Sequence, residues 1–222
     1  MRDVRRPMKK PLTILASLGI AATLLSPQAA ESDREISELA ALHQQAVVAQ
    51  NAGNYGEAER LHRAVVEQMV RIPSFPANEQ ARQLSNLASV LNLRGKPTEA
   101  LPLLRRAQGL LRKQPSEDPA QYSTLHFNLG RTYALQRSWA PAEQQYKEGI
   151  EVLTKAGVSD RKYLFEADAG LAYVYWKTGR LTEAKARYEA ALQFVRTFAP
   201  ATHPVVRRWE REYQAVMKEL GR

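Results

Sequence analysis

The 222-residue chain contains no cysteine. That excludes disulfides, thiolate metal sites and a lipid-modified cysteine. It has only four histidines, His43, His62, His126 and His203. No two of them stand at the i, i+4 spacing of a helical zinc pair. His62 and His126 read as satisfied core or boundary residues rather than ligands. There is no glycine-rich phosphate loop and no Gly-x-Ser-x-Gly, and the carboxylates are scattered. An enzyme needs a converging nucleophile, base or metal ligand set. Catalysis, a cofactor and a bound metal are therefore not expected. A small hydrolase built around His126 is the enzyme-class rival, and it lacks a nucleophile–base pair.

A long apolar run is also missing. The apolar stretch Leu12–Leu25 has 14 residues, fewer than the ~20 that span a bilayer as a helix. It follows a basic start, with either Met1 or Met8 as initiator, and precedes the small pair Ala29-Ala30. Residues 1–30 are therefore expected to be an export signal cleaved near Ala30, with an uncleaved anchor as the alternative. The formal charge is +9, but the first 30 residues hold five Lys/Arg against one acid, leaving +5 for the remainder. Much of the basicity belongs to the leader, which weakens a nucleic-acid reading.

What the chain does have is a period. Ala58, Ala100, Ala142 and Ala184 are each 42 residues apart. A glycine stands five residues before three of them, at Gly53, Gly95 and Gly179, while Arg137 takes that place before Ala142. Glycine there suits a left-handed helix cap. Twelve residues upstream of each alanine lies another small residue, Ala46, Ala88, Gly130 or Ala172. Four residues downstream lies a larger one, His62, Leu104, Tyr146 or Tyr188. Small residues at matched sites let two antiparallel helices approach, and the bulky side chain fills the space beside them. One such hairpin cannot bury its apolar face alone, so hairpins must stack.

The pattern resembles the tetratricopeptide repeat. The third unit carries Leu129-Gly130-x-x-Tyr133 and Ala142-x-x-x-Tyr146. The fourth carries Leu171-Ala172-x-x-Tyr175 and Ala184-x-x-x-Tyr188. The second is similar, and the first, with Ala46 and Ala58, is degenerate. The 42-residue period is longer than the usual ~34 and is similar to that of kinesin-light-chain-type repeats. The implied fold is an all-α solenoid of four hairpins, at about 36–72, 77–114, 119–156 and 161–198. A capping helix over 203–222 follows. In it Val206, Trp209, Tyr213, Val216, Met217 and Leu220 form an apolar stripe. Arg207, Arg208, Arg211, Lys218 and Glu219 are expected to face solvent. Pro102 falls after Pro97 in the first turns of a helix, which is expected to start late or kink. Tyr133, Tyr146, Tyr175, Tyr188 and Trp139 are read as packing between helices.

The resemblance also implies a function: another protein or peptide segment bound along the concave face formed by the first helix of each hairpin. The implied groove residues are Arg82, Asn86, Asn128, Arg131, Tyr173, Trp176 and Lys177. Asn86 and Asn128 are 42 apart, so the same amide, both donor and acceptor, is expected to be presented twice. The expectation is a non-enzymatic adaptor exported to a bacterial envelope, periplasmic or secreted, with no nucleic-acid partner. A membrane-held helper subunit of an envelope assembly is the alternative.

Overall fold

A computed structural model describes residues 27–72, 75–114 and 116–221. Most of the expected export signal lies outside the described residues. The expected cleavage position, Ala30, falls within the first helix. The chain divides into two units, residues 1–37 and 38–222. Of the first, only the helical residues 27–37 are described; everything below concerns the second.

Among the described residues nine α-helices occur and no strand. They are α1 (Pro27–Asn51), α2 (Tyr55–Arg71), α3 (Ala77–Leu93), α4 (Pro97–Lys113), α5 (Pro119–Leu135), α6 (Trp139–Lys155), α7 (Phe165–Lys177), α8 (Leu181–Val195) and α9 (Pro204–Leu220). A short 3-10 turn, Arg161–Tyr163, leads into α7. Helix starts follow local chemistry. Pro97, Pro119 and Pro204 open α4, α5 and α9, where a missing N–H costs nothing. Asp118 accepts from the Ala120 N–H at 2.9 Å.

The helix ends repeat in register. The N–H groups of Asn54, Lys96, Ser138 and Arg180 each bond the carbonyl five residues back, on Ala49, Leu91, Tyr133 and Tyr175, at 2.8–2.9 Å. This closure needs one residue at positive φ. Gly53, Gly95 and Gly179 supply it at 77°, 72° and 78°, and Arg137 is held there at 58° without being glycine. Position in the repeat, not residue type, sets the turn.

The seam is as the period requires. Ala58, Ala100, Ala142 and Ala184 are all fully buried, as are Ala46, Ala88 and Ala172. Tyr146, 3% exposed, shows the mechanism best. A Cβ at Gly130 would stand 3.0 Å from three of its ring atoms, so an alanine there would require the ring to give by a few tenths of an ångström. α3 packs directly on α5, α5 on α7 and α7 on α9, while α4, α6 and α8 each pack against the odd helices on either side and α2 packs on α3. The odd helices thus line the inner curve of the stack and the even ones the outer.

Polar links join the repeats. Glu59 lies between Arg63, Arg94 and Lys96. Burial opposes its charge, but hydrogen bonds from Lys96, Arg63 and Arg94 outweigh it and hold the carboxyl at about 2. Two repeats on, Glu143 meets Arg180 at 2.8 Å across the same sequence separation of 37. Asp168, 2% exposed, ties the 3-10 turn and α8 to α7 through Arg161 and Arg187, both at 2.7 Å.

Two expectations are corrected. α4 runs without a break from Pro97 to Lys113, Pro102 included. In α9 only part of the stripe is core: Val206, Trp209 and Val216 are buried, whereas Met217 and Leu220 are exposed. Gly109 in α4 marks a site that packing leaves open, since a Cβ there would meet nothing within 4 Å. Gly109→Ala is expected to raise stability by about 1 kcal/mol, the helix-propensity difference, read from urea unfolding.

Candidate functional site

The inner curve holds a recess where α3, α5, α7 and α9 converge. One part, of ≈ 190 Å³, is walled by Leu93, Ala134, Leu135, Tyr146, Tyr173 and Trp209. A second, of ≈ 440 Å³, runs toward Phe165, Phe198 and Pro200 and reaches Tyr55 at the start of α2. Leu93, Arg131, Glu166 and Trp209 line both, so the two parts are adjacent and share a wall. Gly53 comes close to Pro204: a Cβ on the glycine would be 4.0 Å from the proline ring. The stack is therefore wound tightly enough for its first turn to meet the start of its last helix.

Four charged groups face this space: Arg131 from α5, Glu166 from α7, and Arg208 and Glu212 from α9. Their pairing is loose. Arg131 Nη2 lies 3.8 Å from Glu166 Oε2, and Arg208 Nε lies 4.0 Å from Glu212 Oε1. Elsewhere the chain makes tight ion pairs, for example 2.7 Å between Arg71 and Glu67. Charge-assisted hydrogen bonds normally sit near ~2.7–2.9 Å, so both guanidiniums keep donors to spare. Arg208 is 39% accessible at its side chain, and protein surrounds it on most sides. Burial, and then the charge of Arg131, holds its pKa below the ordinary arginine value. Burial also raises Glu212, although Arg208 opposes the rise. The Tyr146 hydroxyl, beside Arg131, is pushed up to about 12 by burial. The Tyr188 hydroxyl donates to Glu212 at 3.1 Å. Two like charges facing one cavity, each short of a close counter-ion, make a place for an anionic group such as a carboxylate. The fork of arginine donors suits it, and the apolar walls suit its neighbours.

The residues expected from sequence divide. Arg131 and Tyr173 line the recess. Ser89, Leu93 and Leu135, on the same helix stripes, line it too. Asn86 is half-buried, and Arg82 is paired with Glu79 at 3.3 Å. Asn128 is a correction. It is 7% exposed and donates its amide to the Ser85 carbonyl and hydroxyl at 3.2 and 3.1 Å. Its own backbone carbonyl accepts from Asn92 and Thr132. The amide is consumed in joining two repeats and is not presented to a ligand. Trp176 donates to Glu219 of α9 at 3.0 Å, and Lys177 lies 3.4 Å above its ring. Both belong to the seat of the last helix. Arg208 therefore lines the recess rather than facing solvent as expected, while Glu219 is exposed as expected and accepts from Trp176 at the surface. Nor is His62 satisfied: it is 1% exposed and neither ring nitrogen has a partner. His126 is, its Nδ1–H donating to the Gln145 Oε1 at 3.0 Å.

Sequence reading missed Arg208, Glu166, Glu212 and Trp209. The signal was present. Arg82, Thr124, Glu166 and Arg208 are successive residues of one 42-residue register, as are Asn86, Asn128, Gly170 and Glu212. Carried into α9, that register puts Arg208 and Glu212 at the positions assigned to the groove.

Models of the tetratricopeptide repeat match residues 79–155 and 166–195. The chain carries tetratricopeptide repeats over those residues, and its described helices stack in their register. Such repeats generally bind other proteins or peptides and are generally non-catalytic. The fold is similar to the crystal structure of BtubC (BKLC) from P. vanneervenii, at 18% identity, TM-score 0.57, covering 86% of this chain and 82% of that one. It is also similar to the putative kinesin light chain nearly identical TPR-like repeats of Podosopora anserina, at 20% identity, TM-score 0.58, covering 83% and 88%. A single-substitution form of those repeats matches at the same identity and TM-score, covering 83% and 87%. At these identities the likeness is one of fold. No curated protein matches the chain.

Proposed function

We infer that the chain is a non-enzymatic adaptor that takes a segment of a partner protein into the recess. The supporting observation is the pair Arg131 and Arg208, facing one apolar-walled cavity with loosely held counter-ions. A carboxylate on the partner segment would be held by the two guanidiniums. Aliphatic or aromatic neighbours would rest on Leu93, Leu135 and Trp209. Binding needs no cofactor or metal, and no bond is made or broken. The basic start, short apolar stretch and Ala29-Ala30 support export to a bacterial envelope. Among the described residues no helix is long and apolar enough to cross a membrane.

Site-specific photo-crosslinking tests the surface. A photoreactive residue at Leu93 or Leu135 is expected to capture a partner, identified by mass spectrometry, while one at Arg211 on the outer face of α9 captures none. Capture only from Arg211 would refute the recess. Fractionation with intact-mass measurement tests export: the expected species lacks the leader and lies in the envelope fraction. A full-length cytosolic species would contradict it.

A further inference from the structure

The outer face of α4 differs from every other even-numbered helix. α2 carries Glu57, Glu59 and Glu67; α6 carries Glu143, Glu148 and Glu151; α8 carries Glu183 and Glu189. Their cations pair with these acids, as in Arg60–Glu57, Arg71–Glu67, Lys147–Glu143 and Lys155–Glu151. α4 has one acid, Glu99, which is engaged by Arg63 of α2 and Lys96. Beyond it stand Arg105, Arg106, Arg112 and Lys113, all exposed. None pairs with an acid among the described residues.

The arrangement is a track. At about 100° per residue, Arg105 and Arg112 share one edge of the helix, and Arg106 and Lys113 lie roughly 100° round. Between the two rows run Pro102 and Gly109, which project little or nothing. Both weaken a helix, and packing does not call for the glycine, since its missing Cβ would meet nothing. In register with Gly109 stand Glu67, Glu151 and Gln193. The acid that neutralises two sister helices is absent here, and its place is open.

We propose that this face is a second binding surface, separate from the recess, for an acidic segment of a partner protein lying along α4. Four unpaired cations on one short face give charge complementarity. The two arginines of one row are about 10 Å apart along the helix at 1.5 Å per residue. An extended chain, at about 3.3 Å per residue, brings carboxylates three residues apart to that spacing. The observations favour a protein segment over a lipid surface. The exposed large apolar residues, including Val70, Leu135 and Phe198, are elsewhere, so α4 has no side chain to insert into a bilayer.

The test uses a fluorescent ten-residue peptide with glutamate at every third position and serine between, read by anisotropy on the full chain at low salt. The Arg105→Glu, Arg112→Glu variant is expected to bind it about tenfold or more weakly, as removal of steering charges does. Gly109→Glu should also weaken binding while melting no lower than wild type, which separates lost binding from lost fold. The charge-matched control Arg207→Glu, Arg211→Glu on α9 and the recess variant Arg131→Ala, Arg208→Ala should bind normally. Equal binding by the α4 variants, loss in the recess variant, or loss in the α9 control would each overturn the proposal. So would binding to anionic phosphatidylglycerol vesicles with none to the peptide.

Discussion

Gly170→Ala is expected to destabilise the protein by about 1–3 kcal/mol, the usual cost of overpacking. The added Cβ would come within 2.5 Å of Cε1 and Oη of Tyr146. Little room is left on the ring's other edge, where a Cβ at Gly130 would stand 3.0 Å from it. Helix propensity favours alanine by about 1 kcal/mol, so the sign depends on whether the ring can move. Tyr146 is buried on both faces, and overpacking wins. The same substitution at Gly109, where nothing stands in the way, should have the opposite sign. Urea unfolding of the two variants measures both. A neutral or stabilised Gly170→Ala would mean that the tyrosine does not occupy the seam as described. Displacing Tyr146 should also disturb Arg131 beside it, so the variant should bind its partner less well.

Acid should weaken the first hairpin well before it protonates the carboxylates. Burial, and then the neighbouring His43 ring at 5.8 Å, lowers His62 to about 4. Its folded pKa thus lies below its unfolded value of about 6.5. The unfolded chain binds the proton first, so stability is flat above that value and falls as pH drops from about 6.5 toward 4. The full difference amounts to about 3 kcal/mol. His43, also lowered mainly by burial, acts in the same direction. Glu59, held at about 2, contributes its loss only below about 4.5, so the windows separate. Leu104 stands at the corresponding place one repeat on. His62→Leu should therefore fold well and lose most of the fall between pH 6.5 and 4.5. An unchanged pH profile in that variant would show that the histidine does not titrate with unfolding.

The seam was legible in the sequence because sterics enforce it. Only small residues fit where two backbones meet, so Ala58 and its three equivalents had to recur. The turn at Arg137 was legible through register alone. The recess was only half legible. Arg131 and Tyr173 follow from the helix face, but depth does not. Asn128 shares its face with Asn86, yet Ser85 of the preceding repeat lies against it and takes its amide. The charged residues of α9 looked like a solvated face because they alternate in sign. Only the winding of the stack, which brings Pro204 near Gly53, turns Arg208 inward. His62 was placed correctly in the core. Its missing hydrogen-bond partners depend on which side chains surround it, and local spacing does not encode that.

Partner binding through the paired arginines of the inner curve is tested most directly by calorimetry. The crosslinked partner segment is titrated against wild type and the Arg131→Ala, Arg208→Ala variant. Losing partners for a desolvated charged group costs about 1–3 kcal/mol or more, so the variant should bind at least about tenfold more weakly. Its helical fold should be retained by circular dichroism, with some stability lost because Glu212 loses the neighbouring Arg208 charge. Unchanged affinity in a folded variant would contradict a role for the two arginines and place the binding surface elsewhere.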